Sequence, residues 1–280
     1  MFKTRFISML VLLMTAVTAA RAQWTGGTYT ATANENLGAI TVNGDATLTI
    51  NSDVTVTVTG GINVASGTLT VTGPGTLVVT GAKGNDGNGG EEGGPGGNGG
   101  VAISGNIIVQ GGATVTATGG NGGNGGNGEF YGGTGGNGGV AFAGTLTYKS
   151  GTVTANGGSG GSGRWSAWDG DYASSGSAGK AFANDVDFTQ TTGYSVTNGT
   201  STIGSVLNQT KVVISGGTPI PTGYSVSLKS STDDATNWQG KAGTGEYQAL
   251  PLEGLEAGTA VSVKYSGTKK VKSVKAKKKQ

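Results

Sequence analysis

The stretch VAISGNIIVQGGATVTATGG, residues 101–120, carries the pattern on which the fold turns. In Thr114-Val115-Thr116-Ala117-Thr118 every second residue is apolar, and Gly105-Asn106-Ile107-Ile108-Val109 precedes it across a Gln-Gly-Gly turn. Period-two alternation sets aliphatics on one face of a strand and hydroxyls on the other, as a half-buried β-strand needs. The same grammar returns in INVASGTLTVTGPGTLVVTGAKG from Ile62, in VAFAGTLTYKSGTVTANGG from Val140 and, worn, in KAFANDVDFTQTTGYSVTNG from Lys180. The starts lie 39, 39 and 40 residues apart, and such a period marks a stacked array. Three short strands per unit predict one coil of a parallel β-helix, and AITVNGDATLTINSDVTVTVTG (39–60) reads as a further coil without an insert. An antiparallel sandwich is the rival; insertions at one register of consecutive units favour the solenoid. Helical periodicity is sustained nowhere.

Glycine supplies 58 of 280 residues, about three times its usual share, and the excess falls into blocks at 84–100, 119–139 and 156–179. Their grammar is triplet: GGNGGNGGNG at 119–128 and GGSGGSG at 157–163. Polyproline II has three residues per turn and no internal hydrogen bonds, so its backbone groups are free to pair sideways. Two glycines in three let such chains pack almost backbone to backbone. Three blocks leaving one register would lie side by side and satisfy one another's N–H and C=O groups. The opposing reading is three flexible loops, since ordering glycine is entropically costly.

Each block is nearly symmetric about a short tip. The tips carry Glu91 and Glu92; Glu129, Phe130 and Tyr131; and Arg164, Trp165, Trp168, Asp169, Asp171 and Tyr172. An eight-residue limb at ~3.1 Å per residue holds its tip roughly 25 Å from the base.

The glycine triplets resemble the polyglycine II bundles of phage tail-tip adhesins, whose glycine-rich arms carry receptor-reading loops. They are also similar to the glycine-rich antifreeze proteins of springtails. The coils resemble the right-handed parallel β-helix of secreted Gram-negative surface proteins and of polysaccharide lyases. These resemblances imply an all-β chain in which a β-helix presents ordered arms and the arms present a binding surface.

The segment RWSAWDGDY, residues 164–172, concentrates the chemistry. Aromatic faces meet the C–H surfaces of pyranose rings, while Asp and Arg exchange directional hydrogen bonds with hydroxyls. Glycan binding by these residues, with Phe130, Tyr131 and the tip acids, stands beside the alternative that the aromatics merely anchor the arms. Asp169 and Asp171 with Glu91 and Glu92 also offer carboxylates to Ca²⁺, though no EF-hand loop is present; the expectation is no cofactor. Catalysis is disfavoured because the chain has neither His nor Cys, which removes the commonest general base, thiol chemistry and ordinary zinc sites. A carboxylate pair such as Asp185 and Asp187 leaves glycoside hydrolysis or lyase action as a lesser alternative. SAGKAF (177–182) lacks the Ser or Thr of a phosphate loop. Threonine rows at Thr55–Thr59, Thr68–Thr70, Thr114–Thr118 and Thr152–Thr154 suggest ice binding, but an uninterrupted ladder at one register is not expected.

MFKTRFISMLVLLMTAVTAARA (1–22) reads as a cleaved secretory signal: Lys3 and Arg5, an apolar run too short to span, then Ala-Arg-Ala. Residues 23–263 hold 7 basic and 16 acidic side chains, net −9, while eight lysines crowd the end from Lys264. An acidic body argues against nucleic acid and anionic membranes as partners. The organisation expected is a leader (1–22), a β-helix with arms (23–215) and, beyond the prolines of SGGTPIPTG, a small C-terminal β-sandwich with a basic tail (216–280). The function expected is a secreted or surface adhesin that recognises an extracellular glycan or a host or neighbouring cell surface. A structural matrix protein with lateral self-association is the alternative.

Overall fold

The computed structural model describes residues 22–166, 168, 170–220, 224–226, 238–250, 252–255, 260–266 and 276–278. The expected leader, apart from Ala22, and most of the lysine-rich end lie outside the described residues. The chain is all-β, with no helix among the described residues. It divides into two compact units, one ending at Pro219 and the other beginning at Ile220.

A two-stranded sheet, Gly90–Glu92 with Gly128–Tyr131, and two seven-stranded sheets make the first unit. In one, strands Ala22–Trp24, Ile40–Asn43, Ile62–Thr72, Ile103–Val109 and Leu146–Tyr148 pair in parallel, with Gly27–Ala31 and Ala46–Ile50 completing it beside the long strand. In the other, Glu35–Leu37, Thr55–Thr59, Thr76–Thr80, Thr114–Thr118 and Gly151–Asn156 run parallel. The repeat sets the register: Val115 faces Leu77 on one side and Val153 on the other, and Ala117 faces Val79 and Ala155. Because every such residue projects from the same face, the aliphatics of both sheets form one buried core. Phe142 and Phe182, one repeat apart, stack with ring centroids 5.0 Å apart and planes 9° from parallel.

That register also aligns the threonines. Thr55, Thr76, Thr114 and Thr152 fall in one column and Thr59, Thr80 and Thr118 in another. The expectation of no uninterrupted ladder at one register is thus corrected: pairing of successive units sets these threonines side by side.

The parallel series ends at Gly151–Asn156. The worn copy does not supply the next parallel strand; Lys211–Pro219 docks there antiparallel, and Thr191–Thr197 pairs antiparallel with it in turn. Burial explains the choice. Val212 and Ile214 of the inserted strand are fully buried, whereas residues 192–195 are exposed. Tyr148 seals this end, its hydroxyl lying 2.7 Å from the Gly151 carbonyl and 2.6 Å from that of Gly216. Burial pushes its pKa up to about 12.

The second unit contains two antiparallel sheets. Tyr224–Val226 pairs with Leu252–Leu255 and with Ala276–Lys278, and Trp238–Ala242 pairs with Gln248–Ala249 and Val261–Tyr265. Its core centres on Leu252, packed by Ala242, Leu250, Val261 and Val263.

Candidate functional site: the glycine arms and their tips

Thr80, Thr118 and Asn156, the last residues of three neighbouring strands, share one register. The sheet ladder runs straight on into the arms: Gly81 N–H donates to Thr118 O and Gly119 N–H to Asn156 O, both at 2.9 Å. Three arms thus leave side by side, each with an outgoing and a returning limb.

One triplet shows how the bundle holds. Gly122 N–H donates to Ser159 O in the third arm at 2.8 Å. Gly123 N–H donates to Gly97 O in the first arm's returning limb at 2.8 Å. Asn124 N–H donates to the Asp86 side chain at 2.8 Å, and Asn124 Oδ1 accepts from Ser162 N–H at 3.0 Å. All three amides of the triplet are paired, so the buried backbone is accounted for without a single apolar side chain. Repetition builds continuous chains across six limbs. Gly176 donates to Gly161, Gly161 to Gly136, Gly136 to Gly123, Gly123 to Gly97 and Gly97 to Asn85; parallel chains run through Gly179 to Ala82 and through Ala173 to Asn88.

This packing dictates where glycine stands. A Cβ on Gly123 would lie 1.9 Å from the Asn85 carbonyl oxygen, and one on Gly122 2.0 Å from that of Gly136. Among the arm glycines only Gly170, in the third tip, has a left-handed φ; along the limbs close approach rather than backbone freedom selects glycine. Ala82, Asn85 and Asn88 occupy the position equivalent to Gly120, Gly123 and Gly126, but at the first arm's outer edge, where no further limb approaches. Ser175 and Ala178 do the same at the opposite edge. Serine replaces asparagine in the third arm for a related reason: no fourth arm offers an amide to a side-chain oxygen.

Parallel bridges Gly90↔Gly128 and Gly128↔Ser166 bring the three tips into one row. Tyr131 stands opposite Glu92. The third tip closes on itself through the Trp165↔Tyr172 bridge and the bond from Ser166 N–H to Asp171 O at 2.9 Å. Ser166 is buried and its hydroxyl donates to the Phe130 carbonyl, pinning the third tip to the second. Sequence reasoning passed over Ser166; its small polar side chain between two tryptophans was the available signal.

Of the expected site residues, Phe130, Tyr131, Trp165, Trp168 and Tyr172 are all exposed, Trp168 and Tyr172 by 72% and 71%. They supply five of the nine large apolar side chains exposed among the described residues. Phe130 and Trp168, from different arms, meet edge to face at 5.6 Å. Glu91, Glu92, Glu129 and Asp171 are exposed beside them. Arg164 is exposed, and its Nε donates to Gly125 O at 3.2 Å, tying the third arm to the second. Asp169 lies outside the described residues.

Away from the tips, Asp86 is held below its ordinary carboxylate value by the Asn124 amide and then by Lys83. Asp187 is likewise lowered, by the Thr189 hydroxyl and amide and by Thr147, which fits a turn-forming anion and not a proton donor. Asp185 borders an open cleft with Phe188, Tyr194, Val196 and Ile203. Among the described residues no three His, Cys, Asp or Glu side chains converge to hold a metal, and no helix is long and apolar enough to cross a membrane. Comparison with known proteins finds no matching family model, no matching curated protein and no matching solved structure.

Proposed function

We propose that this chain is a secreted or cell-surface binding protein: a parallel β-helix whose glycine arms, packed as polyglycine II, display an aromatic and acidic tip surface to an extracellular glycan. Two parallel sheets in register with the repeat, sharing one core, support the β-helix reading. The observation that carries the binding reading is the clustering of exposed aromatics on the tips. Backbone and Asn side-chain hydrogen bonds run the length of the arms without those aromatics, which favours a role for the rings beyond anchoring. Five exposed rings are otherwise a standing cost in solubility, and such patches mark interaction sites. Ring faces flanked by carboxylates suit pyranose recognition, with apolar contact from the rings and hydroxyl donation to the acids. No turnover is part of this reading.

The test is a glycan array probed with the mature protein. The wild type should bind a defined set of sugars, and Trp168→Ala should weaken that binding about tenfold, the upper range for loss of one aromatic contact. Identical binding by wild type and by a Trp165→Ala/Trp168→Ala double variant would sink the proposal, as would no binding at all.

A further inference from the structure

The sequence holds nine Asn-Gly steps, at Asn43, Asn88, Asn98, Asn121, Asn124, Asn127, Asn137, Asn156 and Asn198. In this dipeptide the glycine nitrogen attacks the preceding side-chain amide more readily than in any other, because no Cβ hinders its approach. Losing its proton, the glycine nitrogen bonds to asparagine Cγ; the side-chain nitrogen leaves as ammonia, and a five-membered succinimide remains. Water then opens the ring at either carbonyl, giving aspartate or isoaspartate with no change of oxidation state. The reaction needs a glycine N–H free to be deprotonated and an asparagine side chain free to swing towards it.

The arm ladder denies both. Gly122 and Gly125 donate to Ser159 O and Ser162 O, Gly138 to Ser177 O and Gly99 to Asn137 O, at 2.8 to 2.9 Å. The asparagines before them are held as well: the side-chain oxygens of Asn121, Asn124, Asn137 and Asn98 each accept a backbone amide from the next arm. At the root of the third arm Gly157 donates to Thr210 O; outside the arms, Gly44 donates to Ser66 O, and Gly199 donates to the Thr197 hydroxyl. Asn127 is exposed too, but the glycine after it, Gly128, is held in the bridges to Gly90 and Ser166. Asn88-Gly89 differs from the other steps because its glycine lies outside every such ladder among the described residues. It sits on the first arm's outer edge, one residue before the tip strand Gly90–Glu92. Its asparagine is exposed, and neither the Gly89 amide nor the Asn88 side chain pairs with a protein group among the described residues.

We infer that Asn88 is the site at which this protein modifies itself, by conversion of Asn88-Gly89 to aspartyl and isoaspartyl forms, while the laddered steps are protected. The two products act differently on the arms. Aspartate at 88 adds a third acid beside Glu91 and Glu92 and leaves the bundle standing, just as Asp86 already serves in a ladder position. Isoaspartate lengthens the backbone by one atom and throws the limb out of its three-residue register. The same bonds that order the arms thus set how long an exported copy keeps its first tip unchanged.

The experiment is peptide mapping by mass spectrometry, with isoaspartate resolved chromatographically, after incubating the folded mature protein in mildly alkaline buffer. Asn88 should convert at least about tenfold faster than Asn121, Asn124 or Asn137, whose reaction waits on local opening of the bundle. In urea that preference should vanish. Gly161→Ala, whose Cβ would lie 1.9 Å from the Gly123 carbonyl oxygen, should release Asn124 without unfolding the sheets. Conversion of Asn121 and Asn124 in the folded protein as fast as Asn88, or an Asn88 no faster than they are, overturns the inference.

Discussion

The sheets and the arms spend glycine in opposite ways. In the sheets it sits at turns with a left-handed φ, as at Gly60, Gly73 and Gly111, where other residues would be strained. Along the limbs of the arms its φ is not left-handed, and at most positions it is required because a neighbouring carbonyl oxygen occupies the space of a Cβ, as at Gly122, Gly123 and Gly161. The sheets are held by burying Val, Leu, Ile and Phe; the arms bury backbone and are held by hydrogen bonds alone. A methyl group is therefore welcome in one region, as at Ala117 and Ala155, and excluded from the inner positions of the other, such as Gly122 and Gly123.

Substitutions can break this contrast. The largest effect should come from Phe142→Ala, which removes a fully buried ring and its stack on Phe182. A loss of about 3–5 kcal/mol is expected, read as a fall in the denaturant midpoint of the whole first unit. Gly123→Ala should cost less overall, at the upper end of about 1–3 kcal/mol for an overpacked site, but its damage should be confined. Amide protection should collapse across the arms while protection in strands Thr76–Thr80 and Thr114–Thr118 persists. If Gly123→Ala lowers sheet and arm protection equally, the two regions are not independently held.

Asp86 gives the smallest and sharpest test. Its folded carboxyl lies below the ordinary value of 3.8, chiefly because it accepts the Asn124 amide. A depressed folded value means that this bond contributes fully above the unfolded value and is lost as pH falls through the folded one. The Asn124 amide chemical shift should therefore titrate with a midpoint below 3.8, and Asp86→Ala should abolish the titration. A midpoint at or above the ordinary value would contradict the ladder.

Much of this architecture was readable from residues. The alternation in Thr114–Thr118 and the 39-residue spacing pointed to parallel strands in one register, and the triplets pointed to limbs pairing sideways. Strand direction at the end of the series was not readable, because the alternation in KVVIS is the same whichever way the strand runs; the pairing of Ile214 with Val153 and Val212 with Ala155 shows it to be antiparallel. The threonine columns were half visible: Thr76, Thr114 and Thr152 recur at equal spacing in the aligned units, but nothing in that spacing shows that Thr55, from a unit without an insert, joins the same column. At the tips, the exposed aromatics were legible as a cluster. Arg164 was not, because only the bundle brings Gly125 O within reach of its guanidinium. Nor could the triplets say which glycines are dispensable: Ala82 and Gly120 hold the same position, and only the absence of a further limb separates them.

The central claim is that the arms are an ordered, backbone-paired bundle, and site-resolved amide hydrogen exchange tests it most directly. The account predicts slow exchange at Gly97, Gly120, Gly123, Gly136, Gly139, Gly158 and Gly161, whose N–H groups all donate across limbs. It predicts fast exchange at Ala82, Asn85 and Asn88 on the outer edge, so protection should recur along the inner limbs and fail along this one. Uniformly fast exchange from 84 to 179 would contradict it and make the arms flexible loops.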